Sequence, residues 1–170
     1  MDECARAGRF HRARDRDRFV AGRGLLRVLL GDALGLPPSS LRFWYGAHGK
    51  PALEGTPLAF NLSHSGGEAL FALSWGRAVG VDIERVWPDI AAGSLAARWL
   101  PAGEAARLSS LPPDRRADAF TRAWVRQEAY VKALGVGLAA EAARVAGGDW
   151  ECHDVEAGAG HRGAVVVLGG

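Results

Sequence analysis

The chain has 170 residues, of which 48% are apolar and 24% charged, with a net charge of +2. That composition is ordinary for a globular protein and is enough for one compact domain or two small halves packed together. The start, MDECARAGRFHRARDRDR, holds no apolar stretch of the secretory kind, and no apolar run approaches the roughly 18 residues a membrane span needs, so a cytoplasmic protein without membrane contact is expected. Cys4 and Cys152 are too few and too far apart for a disulfide framework, and neither sits at metal-ligand spacing.

Charge and residue choice are uneven. From Met1 to Arg27 there are eight Arg against four carboxylates, a surplus that suits an anionic partner or a solvated helix face. No helix-turn-helix, zinc-finger or RNA-binding signature accompanies it, so no nucleic-acid partner is expected. The chain uses 19 Arg and only two Lys, Lys50 and Lys132. A sequence so biased toward Arg keeps Lys where a compact ammonium is hard to replace by a guanidinium.

In chain order, Arg16 to Gly35 reads as an amphipathic helix, with Phe19, Val20, Leu26, Leu29, Leu30 and Leu34 at helical spacing and Gly35 as its C-cap. Leu41 to Tyr45 reads as a short strand and Gly46 to Pro51 as a turn. Leu58 to Leu62 is a second strand, ending in a polar turn at Ser63-His64-Ser65-Gly66-Gly67. Ala69 to Trp75 and Val79 to Ile83 read as two strands of a hairpin joined at Gly76-Arg77. Leu95 to Leu100 is helical, and a further helix follows Pro101. Asp114 to Leu134 is the longest helical stretch, closed by Gly135. Trp150 to Val155 and Ala164 to Leu168 suit a terminal hairpin. Pro88-Asp89 is the best place for a junction between halves.

Four segments carry candidate chemistry. In Gly80-Val81-Asp82-Ile83-Glu84, strand alternation sets Asp82 and Glu84 side by side, with Val81 and Ile83 toward the core. Neighbouring carboxylates repel unless something positive lies between them, and Mg²⁺ is a natural guest; two solvated acids on an edge strand are the alternative. Helical spacing puts Trp124, Glu128 and Lys132 on one stripe, either a third carboxylate for that site or an exposed i,i+4 ion pair. The Ser63-His64-Ser65 segment offers hydroxyls, an imidazole and main-chain amides to an anion, or is a hydrogen-bonded polar turn. Gly49-Lys50-Pro51 is a lysine in a rigid turn.

Taken in order, Gly49-Lys50-Pro51, Phe60-Asn61-Leu62-Ser63-His64-Ser65, Gly80 to Glu84, Trp124 with Glu128-Ala129 and Lys132, and Gly135-Val136-Gly137-Leu138 resemble the 4′-phosphopantetheinyl transferase family, surfactin-synthetase-activating type. The resemblance implies an α+β fold of two similar halves in a pseudo-twofold arrangement. Those halves would be 1–87, shortened at its start, and 88–170, with the active-site cleft between them. It implies that coenzyme A and Mg²⁺ bind there, and that the 4′-phosphopantetheine arm moves to a serine of an apo acyl or peptidyl carrier protein, releasing 3′,5′-ADP. The carriers would belong to polyketide, nonribosomal peptide or fatty acid synthases. Carried over by position, Asp82, Glu84 and Glu128 resemble the metal ligands, Glu128 also the general base, and Lys132 the lysine on the phosphates. Arg23, Lys50, Ser63 and His64 resemble coenzyme A contacts. The family usually has Lys where this chain has Gln127, which together with the short start motivates an alternative, a catalytically weak homologue that binds coenzyme A or a carrier without turnover. A pseudo-twofold chain contains its own cleft, so a monomer is expected.

Overall fold

The computed structural model describes residues 3–136 and 149–169. The Gly137-Leu138 end of the last motif lies outside them. The chain divides into two compact units, Met1–Phe43 and Trp44–Gly170.

The first unit is helical. α1 (Glu3–Ala7) is one short turn, and α2 (Ala13–Leu34) begins three residues before the start read from the sequence. Leu26 and Leu30 are fully buried, whereas Val20 is exposed, so the apolar stripe is narrower than its periodicity suggests. Gly35 takes φ +65° and donates to Asp32 O while Leu36 donates to Gly31 O, which closes the helix as a left-handed cap. Arg27 donates to Pro38 O at 2.6 Å and pins the chain that follows.

The second unit is α+β, the class expected. Strand β1 (Phe43–Tyr45) straddles the boundary, followed by β2 (Pro51–Leu53), β3 (Leu58–Ser65), β4 (Glu68–Trp75) and β5 (Val79–Arg85). Helices α3 (Ala92–Trp99), α4 (Ala102–Ser109) and α5 (Pro113–Leu134) come next, then β6 (Trp150–Val155) and β7 (His161–Leu168). The sequence reading joined β4 to β5 as a hairpin, and the structure corrects it. β4 pairs antiparallel with β3, closing with Ser65 opposite Glu68, because Gly66 at φ +62° and Gly67 make the tight two-residue turn. Ser63, His64 and Ser65 are therefore strand, not turn. β5 instead pairs antiparallel with β7, which also pairs with β6, giving the order β5-β7-β6.

α5 lies on this three-stranded sheet. Val125, Ala129 and Ala133 of the helix pack with Ala164 and Val166 of β7. At Gly80 the approach is so close that an added Cβ would fall 2.0 Å from Ala129 O and 2.3 Å from Ala133 N, so glycine is required there by space. β5 and α5 lie on opposite sides of Pro88 in the sequence and pack on each other. A second cluster joins Ala92 and Ala96 of α3, Leu100 just after it and Leu108 of α4 to Phe120 and Ala123 of α5. Among the described residues no helix is long and apolar enough to cross a membrane.

Candidate active site

β3 runs beside β5 and is tied to it by side chains. Asn61 Oδ1 accepts the Val81 N–H at 2.9 Å, and Ser65 Oγ accepts the Arg85 N–H at 3.1 Å. These residues, with Ser63 between them, alternate along β3, so strand periodicity aims all three at β5. Opposite them stand the acids. Ser63 Oγ donates to Asp82 Oδ1 at 2.7 Å, and Ser65 Oγ donates to Glu84 Oε2 at 2.9 Å. Sequence reading missed Asn61 and Ser65 as positioning groups, because ending the strand at Leu62 cuts the i, i+2 polar pattern in two.

α5 contributes the third edge. Lys132 Nζ donates to Asp82 Oδ1 at 2.5 Å and to Ser63 Oγ at 3.0 Å. The lysine thus reaches across to β5, where the surface-pair reading had it bonded to Glu128 four residues back. Trp124, at the head of the stripe, is held by Phe120 stacked at 6.0 Å and by Trp99 edge-on at 6.2 Å. A cavity of about 400 Å³ is lined by Leu62, Ser63, His64, Asp82, Glu84, Trp124, Glu128 and Lys132. Six of the eight residues named from the sequence meet there.

Of the other two, Lys50 is not on the cavity wall, and Arg23 belongs to the first unit. Lys50 was expected to contact coenzyme A, but its ammonium is turned into the main chain. It donates to Val79 O at 3.0 Å, Lys132 O at 2.6 Å and Ala133 O at 3.0 Å, which uses all three of its protons. Burial pulls this ammonium down from its usual 10.5 to about 8. Arg23 belongs to the first unit, where it is only 9% exposed, paired with Glu3 at 3.3 Å and lying over the Phe43 ring. Gln127, where the resemblance implied a lysine, is buried, and the neighbouring Arg126 is committed to Asp154 through two bonds of 2.7 Å.

The electrostatics of the cavity are unbalanced toward negative charge. Asp82 is 3% exposed, which removes the solvated-acid reading for it, and Glu128 is 7% exposed, which removes the exposed ion-pair reading. Asp82 Oδ2 and Glu128 Oε1 are buried and find no hydrogen-bond partner among the described residues. Burial first, and then the charges of Asp82 and Glu84, push the Glu128 carboxyl up to about 7 against the pull of Lys132. Two orphaned carboxylate oxygens in one cavity fit a hard cation. Among the described residues no three His, Cys, Asp or Glu side chains form a ready-made cage. The donor set nonetheless suits Mg²⁺, which commonly takes one or two carboxylates and completes its shell with water and substrate phosphate.

Comparison with known proteins identifies the family. Residues 78–163, about half the chain, match the model of the 4′-phosphopantetheinyl transferase superfamily, and residues 1–74 match that of the 4′-phosphopantetheinyl transferase N-terminal domain. The chain therefore belongs to the 4′-phosphopantetheinyl transferase superfamily. It is 44% identical over 142 residues to 4′-phosphopantetheinyl transferase HetI of Nostoc sp., covering 81% of this chain and 60% of that protein. It is 46% identical over 110 residues to 4′-phosphopantetheinyl transferase AcpT of Salmonella typhi, covering 64% and 56%. It is 34% identical over 140 residues to 4′-phosphopantetheinyl transferase psf-1 of Bacillus pumilus, covering 81% and 58%. The chain thus spans no more than 60% of the length of these relatives.

Proposed function

We propose that this chain transfers the 4′-phosphopantetheine arm of coenzyme A to a serine hydroxyl of an apo acyl or peptidyl carrier protein, with Mg²⁺, releasing 3′,5′-ADP. The observation that carries the reading is the pair of unpartnered, buried carboxylate oxygens on Asp82 and Glu128, set in one cavity with the Lys132 ammonium. Family membership and the names of the relatives support it. Asp82, Glu84 and Glu128 would hold Mg²⁺, which when bound supplies charge neutralisation on the pyrophosphate oxygens.

The chain's own residues account for the rest. In the reaction the serine oxygen forms a bond to the phosphorus that carries pantetheine, and the bond from that phosphorus to the bridging oxygen breaks. Glu128 accepts the serine proton, directly or through water, as a carboxylate general base on the cavity wall. Lys132 faces the charge that gathers on the departing 3′,5′-ADP, where a positioned cation acts on the transition state. Ser63 and His64, on the cavity wall, contact coenzyme A.

The test is chromatographic detection of 3′,5′-ADP from coenzyme A and Mg²⁺, with and without an apo carrier protein. Release that requires the carrier, and that is lost in Asp82→Ala, is the expected result. Release without the carrier would mean hydrolysis. Coenzyme A binding with no release from any of several carriers would mean a homologue that does not turn over. Either outcome refutes the proposal.

A further inference from the structure

Lys50 and Gly80 act on the same joint. The last turn of any α-helix leaves carbonyls without intrahelical partners, and a cation nearby can satisfy them. In α5 the carbonyls of Lys132 and Ala133 both receive the Lys50 ammonium, which comes from a turn more than 80 residues earlier in the chain. The third proton of the same ammonium goes to Val79 O, the first residue of β5. One residue further on, Gly80 lets the α5 backbone come closer than any side chain would allow, against Ala129 and Ala133. A main-chain contact this close has no side chains to fix its register. The three carbonyl bonds supply that fixing, at the helix turn that carries Lys132.

We infer that Lys50 is a positioning residue. Its ammonium clasps the C-terminal turn of α5 to the start of β5 and so sets where Lys132 and Glu128 stand against Asp82. The two lysines of the chain meet in this arrangement. Lys50 binds the main chain of Lys132, and the Lys132 side chain binds Asp82 and Ser63. The chemistry also explains why neither is one of the chain's many arginines. Three carbonyls around one point match the three protons of an ammonium, whereas a guanidinium is a planar fork. The opposing expectation, that Lys50 binds a phosphate of coenzyme A, requires the ammonium to leave all three carbonyls.

The activity readout of the test rests on the transfer reading; the exchange readout does not. Lys50→Met and Lys50→Arg are compared with the unaltered chain in three measurements. These are coenzyme A affinity by calorimetry, kcat for carrier modification, and hydrogen exchange at the amides of Ala133, Leu134 and Gly135. The clasp predicts unchanged affinity, a kcat lowered about 10- to 100-fold by misplacement of Lys132 and Glu128, and faster exchange at the helix end in both variants. A phosphate contact predicts weaker coenzyme A binding in Lys50→Met, restored by Lys50→Arg because a guanidinium grips phosphate well, with exchange unaltered. That pattern would overturn the inference. If Lys50→Met does not fold, Lys50→Arg decides alone: native exchange at the helix end with native kcat overturns the clasp. If the unaltered chain transfers nothing, accelerated exchange in the variants still supports the clasp while the transfer reading fails.

Discussion

Replacing Glu128 by glutamine in metal-free protein is expected to stabilise it at pH 8 and to leave it nearly unchanged at pH 4. Burial, and then Asp82, raise this carboxyl from 4.5 to about 7, so the folded chain keeps its proton to higher pH than the unfolded chain does. A group whose folded pKa is raised gives its full stabilisation below 4.5 and loses it as pH rises through 7. At about 1.4 kcal/mol per pH unit, the span from 4.5 to about 7 amounts to about 3 kcal/mol. Glutamine keeps the shape and carries no charge, so the variant lacks this loss. Urea unfolding followed by tryptophan fluorescence at pH 4, 6 and 8, with a chelator present, reads the difference directly. Adding Mg²⁺ at pH 8 should then stabilise the wild type more than the variant. Parallel stability profiles for the two proteins between pH 4 and 8 would refute the account of Glu128 as a buried, uncompensated anion.

Further predictions follow from particular contacts. Asp82→Asn removes the negative partner of Lys132 and a proposed metal ligand together, and transfer measured by carrier mass should fall by about 10²- to 10³-fold; near-native rates would contradict the role given to Asp82. Gly80→Ala places a Cβ 2.0 Å from Ala129 O and should cost more than about 4 kcal/mol in thermal unfolding, or prevent folding; a native melting profile would show that α5 does not sit as described. Trp124→Ala removes the ring stacked on Phe120 and met edge-on by Trp99, and a loss of about 2–4 kcal/mol by urea unfolding is expected. Arg126→Ala breaks an exposed pair with Asp154, so stability should change by less than about 1 kcal/mol and transfer not at all. A large fall in transfer would show that Arg126 stands in for the missing family lysine at position 127.

Periodicity made the site's skeleton legible. Asp82 and Glu84 fall two apart on a strand, and Trp124, Glu128 and Lys132 four apart on a helix, so each set shares a face whatever the tertiary structure. The boundaries of α5 and its left-handed cap at Gly135 were legible too, because proline and glycine mark them. What failed was pairing across distance. Two glycine-bearing turns, at Gly66-Gly67 and Gly76, compete as hairpin closures, and local sequence does not say which one pairs its flanking strands. Choosing the second hid the strand character of Ser63 and Ser65, and with it their bonds to Asp82 and Glu84. The partner of Lys50 was beyond reach for the same reason, since a lysine in a turn looks available to any anion until its carbonyl partners far along the chain are in place.

The central claim is that Asp82, Glu128 and Lys132 form one phosphopantetheine-transfer site. Mass spectrometry of an apo carrier protein incubated with this chain, coenzyme A and Mg²⁺ tests it most directly. A gain of one phosphopantetheine on a single serine, absent with Asp82→Ala and absent when a chelator removes the metal, is the predicted result. An unmodified carrier across several carrier types, or a gain that persists in Asp82→Ala, would contradict it.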